Sequence, residues 1–479
     1  VVMYSSNSVE CVARTWDGTV LSPAKPGVWS VDFSPQEHTI SDRLDKEFDL
    51  LRESVKVPKP SGSTLVSVVC VSCDVCAVAG RRDGASRVWV VRGDVWTAVE
   101  PPTDGPRDVW LGANLVFGAN AVRVAWSSPT QPRVEADFDG GTMRTVHTTT
   151  VPNFDPSRYR SRAWTVRSRD GVDIPVWSVE GKQTTATHLS AYGAYGVCYD
   201  PSFDAHLLPL LDRGFACVVV CARGGGERGR WWHHAGRHTN KMNTFNDVAD
   251  VAATLQGPIV MEGASAGGLA AAATAMRNPH LFGKVVCRVP FVDVVATMQD
   301  DSVPLTAQEY VEWGHPDVDL DYMASYSPTD NVRATPASFL LTTGMSDARV
   351  MNKEAFKFYD LLRKSGVDAL LRVRTNSGHF GSADRFQNIR ERAEDEIELP
   401  EDKVTSDSDA PEGAEASPSD SCLAAALAAR GSAAHAVFHW PSLSEPHYAV
   451  GAVLDALARL VPDAYAALHR IHVSQPTMP

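Results

Sequence analysis

Through the first 155 residues, apolar side chains fall in short alternating runs, among them "TLVSVVCVSC" (64–73), "SRVWVVRG" (86–93) and "AVRVAWSS" (121–128). Gly, Pro and Asp turn signals separate them, so the tract predicts an all-β region. Only "ISDRLDKEFDLLRES" (40–54) has helical spacing there. From Arg160 the pattern changes. Strand-like "ATHLSAYGAYG" (186–196) and the continuous apolar run "FACVVVC" (215–221) precede helical "TFNDVADVAATLQ" (244–256), strand "PIVMEG" (258–263) and helix "AGGLAAAATAM" (266–276). Strands "KVVCRV" (284–289) and "ASFLLTT" (337–343), helix "KEAFKFYDLLRKSG" (353–366) and strand "ALLRVR" (369–374) follow. Continuous apolar strands alternating with amphipathic helices predict an α/β domain with a doubly covered, mostly parallel sheet. The stretch 394–421 is acidic and rich in Ser, Pro and Ala, so it reads as a disordered insertion. Beyond it, 422–479 reads as a segment whose helix at 448–461 docks back on the α/β domain.

Composition narrows the function classes. The chain has 479 residues, enough for two or three domains, with 44% hydrophobic and 22% charged residues. A formal net charge of −13 argues against a general nucleic-acid binder. No apolar run approaches the ~18 residues of a membrane span. The opening Val1-Val2-Met3 lacks the basic and apolar regions of a secretory signal and reads as a processed or incomplete start. Nine cysteines, mostly inside apolar strands, read as reduced thiols in a cytoplasmic compartment. Cys70, Cys73 and Cys76 are spaced like metal ligands, but they sit in an alternating strand pattern with no fourth ligand nearby, so no metal is expected.

The chemistry centres on Ser265. It follows a strand ending at Gly263 and precedes a helix opening at Gly267-Gly268, the Gly-x-Ser-x-Gly arrangement of a nucleophile elbow. Small residues at a helix–strand junction could produce the same string, so partners must decide. Asp347 follows one buried strand and His379 follows the next, which is the chain order of acid and base in α/β-hydrolases. His379 would take the serine proton, and Asp347 would orient the imidazole.

With these residues go further motifs: "AYGAYG" (191–196), "LLDRGFA" (210–216), "RGGGERGRWW" (223–232), "NTFND" (243–247), "VPFVDVVATM" (289–298), "VPLTAQEYVEWGHP" (303–316) and "YMASYSPTDNVRA" (322–334). In this order over roughly 156–392, the chain resembles the prolyl oligopeptidase family, and within it the oligopeptidase B branch. The resemblance implies an α/β-hydrolase domain over 156–393 preceded by a truncated, partial β-propeller over 1–155. It also implies serine endopeptidase activity on short peptides, after Arg or Lys, with no cofactor. Carried over, Ser265, Asp347 and His379 match the triad, Tyr195 and the Ala266 amide match the oxyanion donors, and Arg349 matches a residue that holds a substrate carbonyl. Of two family glutamates for a basic side chain, Glu309 matches the first while Val311 replaces the second. Of an acidic pair after "YGAYG", Asp200 matches one member while Ser202 replaces the other. Weaker discrimination than in a full oligopeptidase B is therefore expected.

The front of the chain departs most from the family, since 155 residues accommodate only two or three blades. A homodimer, or another protein covering the exposed strand edges, would compensate. Two other readings stay open. The triad alone does not exclude an esterase or an acyl-aminoacyl peptidase. The lost blades and split acidic pairs are also compatible with a catalytically weak or inactive descendant that serves in binding or assembly.

Overall fold

The computed structural model describes residues 63–72, 75–92, 95–114, 118–302, 306–397 and 435–437. The helices expected at 40–54 and 448–461 lie outside the described residues. The chain divides into two compact units, one running to Glu262 and including Thr297–Met323, the other comprising Gly263–Ala296 and the residues from Ala324 on.

Among the described residues, the first unit begins with two four-stranded antiparallel sheets. Strands β1 (Ser63–Ser72), β2 (Val75–Arg82), β3 (Ala85–Arg92) and β4 (Val95–Ala98) form one, in sequential order. Strands β5 (Asp108–Leu111), β6 (Val122–Ser128), β7 (Gln131–Phe138) and β8 (Met143–Thr148) form the other. The β2–β3 loop is Asp83-Gly84, with φ of 54° and 82°, the left-handed pair that a two-residue hairpin turn requires. Val75, Ala77, Val88 and Val90 of the first sheet share one apolar cluster with Val122, Val124, Trp126 and Val134 of the second. Cys198, Cys217, Cys221 and Cys287 are free thiols, as expected. Cys76 departs from that expectation because it is disulfide-bonded; Cys70 stands opposite it in the β1–β2 register.

The same unit continues into β9 (Arg160–Arg167), β10 (Asp173–Glu180), β11 (Ala186–Ala191), β12 (Phe215–Val220) and the start of β13 (Ile259–Ala264). β10 pairs antiparallel with β9 and β12, and β11 pairs parallel with both β12 and β13. Every residue of β12 is buried, as a strand covered on both faces should be. The helix Met242–Ala252 buries Phe245, Val248, Ala249 and Ala252 at helical spacing.

The second unit holds β14 (Lys284–Arg288), β15 (Ser338–Gly344) and β16 (Ala369–Arg374), paired parallel in that order, with the strand His435–Val437 antiparallel on β16. The helix Ala266–Arg277 is buried from Ala266 to Met276, so its alanines are a packing surface. The helix Asn352–Lys364 buries Ala355, Phe358, Tyr359 and Leu362 at helical spacing.

The helix Arg385–Ile397 corrects the expected start of the disordered stretch. Asp395 within it is fully buried, 2.8 Å from Arg288, 2.5 Å from Arg372 and 2.7 Å from Arg374. Three guanidinium groups offset the desolvation that acidic composition alone would predict to forbid burial. Residues 398–421 of the expected insertion lie outside the described residues. Replacing Asp395 by alanine leaves these arginines facing one another without their anion, at an expected cost of about 3–5 kcal/mol. Urea unfolding at constant m-value checks it, and a loss below about 1 kcal/mol would mean that the cluster is dispensable.

Candidate active site

The second unit carries the elbow. β13 ends in Gly263-Ala264, and Ser265 follows with φ 57° and ψ −121°, a left-handed conformation costly for a residue with a Cβ. The surroundings impose it. A Cβ on Gly263 would lie 2.0 Å from the Gly267 carbonyl oxygen, and one on Gly268 would lie 2.6 Å from Pro290 Cβ, so both positions demand glycine. The Ser265 amide donates to the Arg288 carbonyl at 2.9 Å, and its carbonyl accepts from the amides of Gly268 (2.9 Å), Leu269 (3.2 Å) and Phe291 (3.1 Å). The Ser265 hydroxyl makes no capping bond, and among the described residues it accepts or donates no hydrogen bond. The Ala266 amide opens the helix, where backbone N–H groups lack intrahelical acceptors and face the positive end of the dipole.

Two loops after β15 and β16 bring Asp347 and His379 together. A Cβ on Gly344 would meet the Ser377 carbonyl at 2.3 Å, and the Ser346 amide donates to that same carbonyl at 3.1 Å, which binds the loops to each other. Asp347 Oδ2 lies 2.8 Å from His379 Nδ1, with the carboxylate side chain fully buried and the imidazole 9% exposed. Asp347 Oδ1 accepts from the amides of Arg349 (2.9 Å) and Val350 (3.0 Å). Burial works to raise the Asp347 carboxyl, but the His379 bond and these two amides outweigh it and hold it below the ordinary value. An ionised Asp347 takes the Nδ1 proton as a hydrogen bond and leaves Nε2 as the basic nitrogen. No hydrogen bond links the Ser265 hydroxyl to Nε2 in this structure. Arg349 lies over the ring of Phe380, 5.1 Å from its centroid, and Phe380 is 75% exposed.

In the first unit, the loop after β11 holds Tyr195, which also has a positive φ, 56°. Its amide donates to Glu312 Oε1 at 3.0 Å, and its ring meets Trp313 edge-on at 5.6 Å. Its hydroxyl donates to Glu309 Oε2 at 2.7 Å. Burial around the phenol oxygen, then the Glu309 charge and hydrogen bond, push the phenol well above its ordinary value. Glu309 and Glu312 stand three residues apart on the helix Thr306–Trp313, whereas Val311 points outward and is 57% exposed.

Sequence reasoning missed the residues behind this loop. Glu312 is buried and lies 2.6 Å from His233 Nε2. Lys241, fully buried, donates to the Gly193 carbonyl at 2.6 Å and sits 4.9 Å from the centre of the Trp313 ring. Burial pushes its ammonium down to about 8 against the weaker pull of Glu312. The spacing of Glu309 and Glu312 was the only local signal for any of them.

Asp200 corrects the expected substrate-binding role. Both of its oxygens are taken by Arg81, at 2.6 and 2.8 Å, and Arg81 also donates to the Glu227 carbonyl at 2.8 Å. A carboxylate neutralised by a forked guanidinium is not available to a substrate cation. Ser202 donates to Asp108 at 3.2 Å. Among the described residues no cluster of three His, Cys, Asp or Glu could hold a metal ion, and no helix is long and apolar enough to cross a membrane.

Residues 201–397 match the sequence model of the prolyl oligopeptidase family. Protease 2 of Moraxella lacunata is 35% identical over 343 residues, covering 67% of this chain and 49% of that protein. Dipeptidyl aminopeptidase BI of Pseudoxanthomonas mexicana is 35% identical over 340 residues, 66% of this chain and 47% of that protein. Among solved structures, oligopeptidase B from Leishmania major is similar with a TM-score of 0.66 at 32% identity, over 70% of this chain and 51% of the other. Oligopeptidase B from Trypanosoma brucei, with covalently bound antipain, is similar with a TM-score of 0.66 at 33% identity, over 71% of this chain and 52% of the other. The chain spans about half the length of the curated relatives it matches.

Proposed function

This chain belongs to the prolyl oligopeptidase family, and from that membership we propose that it is a serine peptidase of the oligopeptidase B type, cleaving short peptides after Arg or Lys. The observation that carries the reading is the 2.8 Å contact of Asp347 with His379 in the same compact unit as the strained, unpartnered Ser265. In the proposed reaction, Ser265 Oγ attacks the peptide carbonyl and its proton passes to His379 Nε2. The same proton goes to the departing amine as the C–N bond breaks, leaving an acyl-enzyme. Water, deprotonated by His379, then releases the acid and restores the serine. The Ala266 amide and the Tyr195 hydroxyl are assigned to the oxyanion, and Arg349 to a substrate carbonyl.

Specificity is assigned to Glu309. Its two hydrogen-bond partners among the described residues, the Tyr195 hydroxyl and Trp313 Nε1 at 3.1 Å, are both neutral. A half-buried carboxylate without a cation favours a guanidinium or an ammonium. The two four-stranded sheets of the first unit are read as propeller blades. A fluorophosphonate probe tests the chemistry: it should label Ser265 in the native chain and leave Ser265→Ala unmodified. Folded native protein that stays unlabelled would favour the non-catalytic, binding role.

A further inference from the structure

We propose that Glu309 is a latch as well as a receptor: while it is empty it holds the Tyr195 hydroxyl, and a substrate guanidinium releases that hydroxyl to the oxyanion. The inference rests on the assignment of Tyr195 and Glu309 made above. A phenol has one proton to donate, and here it is given to Glu309 Oε2. While that bond stands, the hydroxyl has nothing to offer a developing oxyanion.

The two oxygens of Glu309 are unequal. Oε2 accepts from both Tyr195 and Trp313 Nε1, whereas Oε1 accepts no hydrogen bond among the described residues. An ammonium can therefore settle on Oε1 alone, where its charge weakens the carboxylate's hold on Tyr195 without displacing it. A guanidinium that engages both oxygens must compete with Tyr195 for Oε2. Glu312 holds the Tyr195 amide and Trp313 packs edge-on against its ring, so the ring stays in place when the hydroxyl leaves Glu309. Release is then a rotation of the O–H about the C–O bond. The consequence is a basic preference expressed in kcat and graded from arginine through lysine to a neutral side chain.

The test compares arginyl, lysyl and citrullyl amides with the same leaving group. Exchanging a charged acceptor for a neutral one should alter kcat by about fivefold. The wild type should therefore rank arginyl above lysyl above citrullyl in kcat. Glu309→Gln should raise kcat on the citrullyl amide and abolish the arginyl advantage. Tyr195→Phe should bring all three to one low kcat. If Glu309→Gln changes only KM, the latch is overturned while the peptidase reading stands. A second readout does not need turnover. With 3-fluorotyrosine incorporated, the ¹⁹F resonance absent from Tyr195→Phe should move with L-arginine amide and not with L-citrulline amide, and should respond to neither in Glu309→Gln. A response to both amides or to neither in the wild type overturns the latch. A selective response without any hydrolysis supports the displacement of Tyr195 from Glu309 by a guanidinium and defeats the peptidase reading.

Discussion

Replacing Ser265 by alanine is expected to lower kcat on an arginyl amide by roughly a millionfold, with KM and the unfolding midpoint nearly unchanged. The separation of effects follows from what the hydroxyl does not do. It stands at the N-cap of the helix Ala266–Arg277 but makes no capping bond, so its loss does not incur the ~1 kcal/mol that a capping serine usually contributes. Alanine adopts the same left-handed backbone at a similar cost, and the neighbouring constraints from Gly263 and Gly268 are untouched. Ground-state binding is assigned to other groups, Glu309 and Arg349, so KM should hold. Steady-state kinetics beside a urea melt give both answers. A fall of only tenfold would mean that the alcohol is not the nucleophile, and a large loss of stability would mean that it is a structural group.

The parts of the molecule that could be read from sequence are those whose cause is local. Ser265 was readable because a strained turn between strand and helix tolerates only small neighbours, and those neighbours are adjacent in the chain. Asp347 and His379 were readable because each follows a continuous apolar strand, and parallel strands β15 and β16 bring the residues after them to the same edge. What failed was set by distant partners. Asp200 looks like a free acid until Arg81, 119 residues earlier and on β2, takes both its oxygens. Asp395 looks like part of a solvated acidic tract until three arginines from β14 and β16 surround it. Lys241 and His233 carry no local mark of the loop they support, because what they hold is the backbone of Gly193 and, through Glu312, that of Tyr195. Charge composition predicts solvation, and a buried counter-charge reverses it.

Asparagine at position 347 isolates the remaining link of the site, and kcat is expected to fall by about 10⁴-fold. The shape survives: the asparagine carbonyl can still accept from the amides of Arg349 and Val350, as Asp347 Oδ1 does now. The change falls on the other atom. An amide NH₂ in place of Oδ2 faces His379 Nδ1 as a donor, so the imidazole is held with its proton on Nε2. It then has no lone pair there for the Ser265 proton. The stability of the variant separates this account from unfolding, and its sign can be stated. The Asp347 carboxyl sits below its ordinary 3.8 in the folded chain, so its stabilising contribution is complete above that value and fades as pH falls through the folded one. The wild type should therefore exceed Asp347→Asn in stability most at neutral pH, with the gap closing in acid, while the kinetic defect persists wherever both are folded. Urea midpoints and kcat measured across pH supply the two curves. A gap that widens in acid, or a kcat within tenfold of the wild type, would remove Asp347 from the hydrolytic machinery.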